Sequence, residues 1–170
     1  MEEELIKVCV SLGMLEESRL LNSIDIDERW DKSLGEQFVA DAVHEFNGYP
    51  EATLAWAVYL GMAVAHQWDK DWVRYKDADY KSYYGKAGFD DMDEHITRDI
   101  LGLPLNSEKS RKLADHIQSV ACQALTLMKH SGVEFLSAGA FSLLVDTLKT
   151  LYRVGASIEL NDLGYKYVAI

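Results

Sequence analysis

His66 and Asp69 stand one helical turn apart beside Trp68 and Trp72, in the stretch His-Gln-Trp-Asp-Lys-Asp-Trp. An imidazole and a carboxylate at this spacing share a helix face. Helical bundles hold metals with Glu, Asp and His side chains that project inward from facing helices. Glu45, which follows Asp41-x-x-His44, and His95, one turn before Asp99, are the further ligands such a centre would draw on. Iron, manganese or zinc accept these donors. The implied chemistry is activation of a metal-bound water. A divalent metal at His66, Asp69, Glu45 and His95, in a metal-dependent enzyme of hydrolase or oxygenase type, is one expectation.

The helices that would position these groups argue partly against it. Asn47-Gly48 is a helix-stop signal, and Pro50 suits the first turn of the next helix. The two helices so joined are expected to be antiparallel neighbours. His66 and Asp69 then lie beside Trp30 to Leu34, at the far end from His44 and Glu45. At ~100° per residue, Phe38, Ala42 and Phe46 share an inner face, Glu45 falls on its edge, and His44 faces water. The alternative for His66 is a histidine at the rim of the core, bonded to Asp69, Asp71 or a backbone carbonyl. His116 lies at the margin of its helix's apolar face, and His130 faces solvent.

Stricter templates do not fit. There is no Glu-x-x-His for a ferritin-type diiron centre, and no His-Asp doublet. The acidic runs at Asp69 and Asp91 lack the glycine of an EF-hand loop. No Gly-x-Ser-x-Gly elbow, dinucleotide fingerprint or phosphate-binding loop occurs.

A second candidate is aromatic. Trp68, Trp72, Tyr75, Tyr80, Tyr83 and Tyr84 lie among Lys70, Arg74, Lys76 and Lys81. Trp and Tyr give large contact area with few rotors and recur at interfaces. These rings close one end of a bundle, present a contact face to a protein partner or to a second copy of the chain, or line a ligand pocket.

The elements that carry both candidates are helical throughout. Helices are expected over about residues 3–21, 28–47, 50–72, 90–101, 108–130 and 133–154, with a polar loop at 22–27. A short helix and loop are expected over 73–88, and a short irregular or extended tail over 158–170. The stretch from Pro50 is apolar on every face for about four turns, which places it inside a core. Two stripes on it, one through Tyr59 and His66 and one through Gly61 and Trp68, predict neighbours on both sides, with Gly61 and Ala65 allowing close approach. No run of β-branched residues alternates with polar ones. The expected fold is an all-α, single-domain bundle of about six or seven helices spanning residues 1–170.

Composition narrows the function classes. The chain has 170 residues, 48% of them hydrophobic and 26% charged, which suits one ordinary globular domain. Its formal net charge is −11, with 17 Lys plus Arg against 28 Asp plus Glu. Nucleic acid and anionic membranes require a basic patch, so neither is an expected partner. No apolar run reaches the ~20 residues that span a bilayer. The N-terminus, Met-Glu-Glu-Glu, lacks the basic start of a secretory signal. The two cysteines, Cys9 and Cys122, stand in no Cys-x-x-Cys pair and are expected to be free and buried. A cytoplasmic protein of bacterial type is expected, working as an interaction or regulatory module through the face from Trp68 to Tyr84. One form of that reading is an immunity or antitoxin-like inhibitor that masks a basic toxin.

Overall fold

The computed structural model describes residues 1–134 and 137–166. It is all-α. Among the described residues there is no strand, and Gly85 and Gly88 form one isolated bridge. Helix α1 is Glu2–Ser11. Helix α2, Ile24–Arg29, runs without a break through a π-helical turn at Trp30–Leu34 into α3, Gly35–Phe46. Helix α4 is Pro50–Tyr75, and a 3-10 turn follows at Tyr80–Tyr83. Helix α5, Met92–His95, continues as a second π-helical segment, Ile96–Ile100. Helices α6, Glu108–Lys129, and α7, Ala138–Asp162, complete the set. Counted as continuous rods these are six helices, within the expected number.

The boundaries follow local chemistry. Three glutamates fill the first turn of α1, where carboxylates complement the helix dipole. Ser107 and Ser137 cap α6 and α7, their hydroxyl oxygens accepting from the N–H groups of Ser110 and Ala140. Helix α1 is shorter than its apolar periodicity predicts. It ends at Ser11, and Gly13 turns the chain at φ +76°, a left-handed conformation that glycine adopts freely. The expected loop at 22–27 is already helical from Ile24. The last helix starts later and ends later than predicted, so residues 158–162 of the expected tail are its final turn. Residues 167–170 of that tail lie outside the described residues.

Helix α4 is the axis of the molecule. Leu54, Val58, Leu60, Ala63, Val64 and Ala65 have no exposed surface. Its largest contact is with α7, and α6, α3 and the 96–100 segment also pack on it. Helices α4 and α7 run the same way: Val58 lies against Gly155, His66 faces Glu159, and Asp69 meets Tyr165. Two glycines set their spacing. A Cβ on Gly61 would come within 1.9 Å of the Tyr152 carbonyl oxygen, and one on Gly155 within 2.0 Å of the Val58 oxygen. Tyr152 is fully buried, and its hydroxyl donates to the Ile26 carbonyl at 2.8 Å, tying α7 to α2. The core these contacts form is contiguous from Leu5 to Leu160.

Candidate functional site

The parallel crossing of α4 and α7 carries two polar groups to its C-terminal end. Helix α4 brings His66 and α7 brings Glu159, with His66 Nδ1 and Glu159 Oε2 3.6 Å apart. That separation exceeds hydrogen-bond length, and Nδ1 is buried without a hydrogen bond. Glu159 is 5% exposed. Burial raises its carboxyl above the ordinary range, and the neighbouring imidazole offsets part of that rise. About a quarter of the His66 side chain is exposed. Since Nδ1 is turned inward, the open edge of the ring carries Nε2.

This pair lines a cavity of about 450 Å³ between α4, the start of α6 and the end of α7. Lys109, Lys112 and His116 border it from α6, and Leu101, Leu113 and Ile158 supply apolar wall. Lys109 pairs with Asp162 at 3.3 Å. Sequence reasoning found His66 and missed Glu159, which lies 93 positions later. The available signal was a lone charge in the otherwise uncharged run from Val154 to Leu160.

The four residues considered as metal ligands are not brought together. Among the described residues, no three His, Cys, Asp or Glu side chains are placed to hold one ion. Asp69 accepts a hydrogen bond from the Tyr165 hydroxyl at 2.6 Å. His95 is held at both ring nitrogens, by Asp99 at 2.9 Å and by the Ser82 carbonyl at 2.9 Å. Glu45 sits near the opposite end of the bundle, on α3. The cause is the one that the antiparallel hairpin implies: the start of the α2–α3 rod, not its end, lies beside the end of α4, and Trp68 Nε1 donates to Asp25 there at 3.1 Å.

Tyr80 and Tyr83 of the aromatic stretch are interior, and Trp68, Trp72, Tyr75 and Tyr84 are half-buried. Tyr83 is fully buried and Tyr80 is 5% exposed, so neither offers contact area at the surface. Tyr83 donates to Gln67 Oε1 at 2.6 Å. Tyr80 and Tyr84 both donate to Asp41 Oδ2, Tyr80 at 2.7 Å. Burial, followed by the Asp41 carboxylate, raises the Tyr84 phenol to about 12 and moves Tyr80 higher still. Trp68 and Trp72 are half-buried against the core, and Trp68 packs on Tyr165 with ring centroids 5.6 Å apart. Tyr75 is half-buried, with the Arg74 guanidinium over its ring at 5.1 Å. Tyr80, Tyr83 and Tyr84 thus spend their hydroxyls on internal partners.

Val73, within this stretch, is 82% exposed, but the open apolar cleft lies elsewhere. A cleft of about 670 Å³ opens at the N-terminal end of α4 and α7. Val43, Phe46 and Pro50 form one wall, Leu125 and Met128 the next, and Phe141 and Leu144 the third. Phe141 is 53% exposed and Val43 40%. Sequence periodicity placed Phe46 on an inner face but did not flag Val43 or Phe141. No described helix is long and apolar enough to cross a membrane. The chain matches no protein-family model, no curated protein and no solved structure.

Proposed function

We propose that this chain is a helical-bundle interaction module whose contact surface is the cleft lined by Val43, Phe46, Met128 and Phe141. The occupant is an amphipathic, net-basic helix of a partner protein. The observation that carries the reading is the open apolar cleft itself, with large side chains at its lip. Exposed apolar patches of this kind mark interaction sites, and an apolar groove between helices accepts the apolar face of another helix.

The charge pattern supports a basic occupant. Glu45, Glu51, Glu134 and Asp146 stand within two positions of lining residues along the chain, against Lys129. The net charge of −11 steers a cationic partner over longer range. The same charge disfavours two copies meeting at this face. An inhibitor that masks a basic enzyme is one form of this reading. It moves the contact surface from the Trp68 to Tyr84 stretch to the opposite end of the bundle.

The test uses two synthetic helical peptides with leucines at i, i+3, i+4 and i+7, one with lysines on its polar face and one with glutamates. Saturable binding of the lysine peptide that is lost in Phe141→Asp is the expected result. Phe141→Asp adds negative charge, so nonspecific attraction of a basic peptide would strengthen in this variant. Binding unchanged or tightened in Phe141→Asp, or equal binding of both peptides, would overturn the proposal.

A further inference from the structure

The second cavity, at the C-terminal end of the α4–α7 crossing, carries a different kind of site. Its charges fall into pairs with a remainder. Lys109 is taken by Asp162 and His66 faces Glu159. Lys112 and His116, one turn apart on α6, form no ion pair among the described residues, and both line the cavity. Residues at this spacing sit on one helix face and can address one group together. The apolar wall lies beside them, from Leu101, Leu113 and Ile158. At the floor, Glu159 is buried 3.6 Å from His66 Nδ1, which is itself buried, and Nε2 lies on the other edge of the ring.

We propose that this cavity binds a small organic anion, a carboxylate carried on an apolar chain, with the carboxylate at Lys112 and His116 and the chain against Leu101, Leu113 and Ile158. His66 contributes Nε2 as a further hydrogen-bonding group from the floor. A volume of about 450 Å³ lies within the range of small-molecule sites. The arrangement of few polar groups at one end and apolar surface along the rest is the usual composition of such sites. A charged lysine and a donating imidazole recognise a carboxylate more strongly than a hydroxyl, because the bonds are charge-assisted. The site is separate from the partner cleft: it uses the first turns of α6 and the last of α7, while the cleft uses the last turns of α6 and the first of α7.

The probe is octanoate, titrated calorimetrically into the full chain, with 1-octanol as its uncharged counterpart. Octanoate is expected to bind at one site per chain with a Kd on the order of 1 mM or tighter. Octanol is expected to bind at least about tenfold more weakly. Lys112→Glu is expected to weaken octanoate by about tenfold or more, with Lys129→Glu, at the other cleft, as the control of equal charge change. Lys112 is exposed, and a circular dichroism spectrum like that of the parent chain confirms that the variant folds. NMR signals of the His66 and His116 rings are expected to shift together on titration. Octanol binding as tightly as octanoate, Lys112→Glu and Lys129→Glu weakening it equally, or ring signals that stay fixed would each overturn the proposal. Octanoate and Lys112→Glu address the cavity at the end of the bundle remote from Phe141, so failure here leaves the peptide-binding test standing.

Discussion

Gly61 and Gly155 lie on facing sides of the α4–α7 crossing, each against the main chain of the other's helix. A methyl group on either would fall about 2 Å from a carbonyl oxygen, 1.9 Å for Gly61 and 2.0 Å for Gly155. The obstacle is backbone, so no rotamer change relieves it. Alanine in mid-helix gains about 1 kcal/mol of helix propensity over glycine. Overpacking a rigid contact costs about 3 kcal/mol. The second effect wins, and Gly61→Ala and Gly155→Ala are each expected to lower stability by about 2 kcal/mol or more. Urea midpoints check this, and a variant as stable as the parent would show that the helices do not touch here.

Much of this architecture was legible in residue types. The apolar stretch from Pro50 predicted an enclosed helix, and α4 is enclosed. Gly61 predicted a close neighbour, and Tyr152 is that neighbour. The identity of the neighbour was not legible, because periodicity reports which face is buried and not against what. For the same reason His66 was visible as a rim histidine while Glu159 was not its expected partner. The tyrosines were misleading for a different reason. Tyr80, Tyr83 and Tyr84 stand in and just after a 3-10 turn beside the exposed charges Asp79 and Lys81, a geometry that helical or strand periodicity does not describe. Their burial depends on Asp41 and Gln67, which come from α3 and α4.

Those hydroxyls separate two costs. Tyr83→Phe leaves the buried Gln67 carbonyl oxygen without its donor at 2.6 Å, and is expected to cost about 2 kcal/mol. Tyr80→Phe leaves Asp41 still bonded to Tyr84, and is expected to cost about 1 kcal/mol. Thermal or urea unfolding of the two variants checks the order. Tyr80→Phe proving the costlier would mean that Asp41, not Gln67, is the more demanding acceptor.

Glu159 makes stability depend on pH in a defined direction. Its folded carboxyl lies above the ordinary value of 4.5 because burial disfavours the charge. The folded chain therefore holds this proton more tightly than the unfolded chain. Stability relative to Glu159→Gln is expected to be greatest below pH 4.5, to fall as pH rises through the raised value, and to level off above it. Unfolding midpoints of both chains across that range measure the difference. A gap that stays constant or widens in favour of the parent chain with rising pH contradicts the assignment.

The two thiols are expected to react very differently. Cys9 is fully buried, and desolvation pushes its thiol up to about 12. Cys122 is half-buried, and its thiol is raised by burial and by Glu51. The thiolate is the reactive form. A disulfide reagent at neutral pH is expected to modify Cys122 slowly and Cys9 only after denaturant is added. Mass mapping of the labelled peptides identifies each site, and early labelling of Cys9 would show that α1 opens readily from the core.

Arg29 tests whether a buried charge stabilises the whole molecule or only one turn of it. It is 6% exposed, with Nη2 donating to the Ala78 carbonyl and Nε buried without a hydrogen bond. Its guanidinium also faces the Tyr83 hydroxyl. Removing a charge from such a place relieves desolvation as well as breaking bonds, and a well-packed apolar replacement is often neutral. Arg29→Met keeps the volume of the stem and removes the link to Ala78. Overall stability is therefore expected to change by about 1 kcal/mol or less, while the turn that follows α4 loses its anchor. Tryptic cleavage after Lys76 and Lys81 is expected to accelerate in Arg29→Met at temperatures well below unfolding. If cleavage stays slow until the whole chain unfolds, Tyr83 and the core beneath it hold the turn, and the guanidinium bond to Ala78 is dispensable.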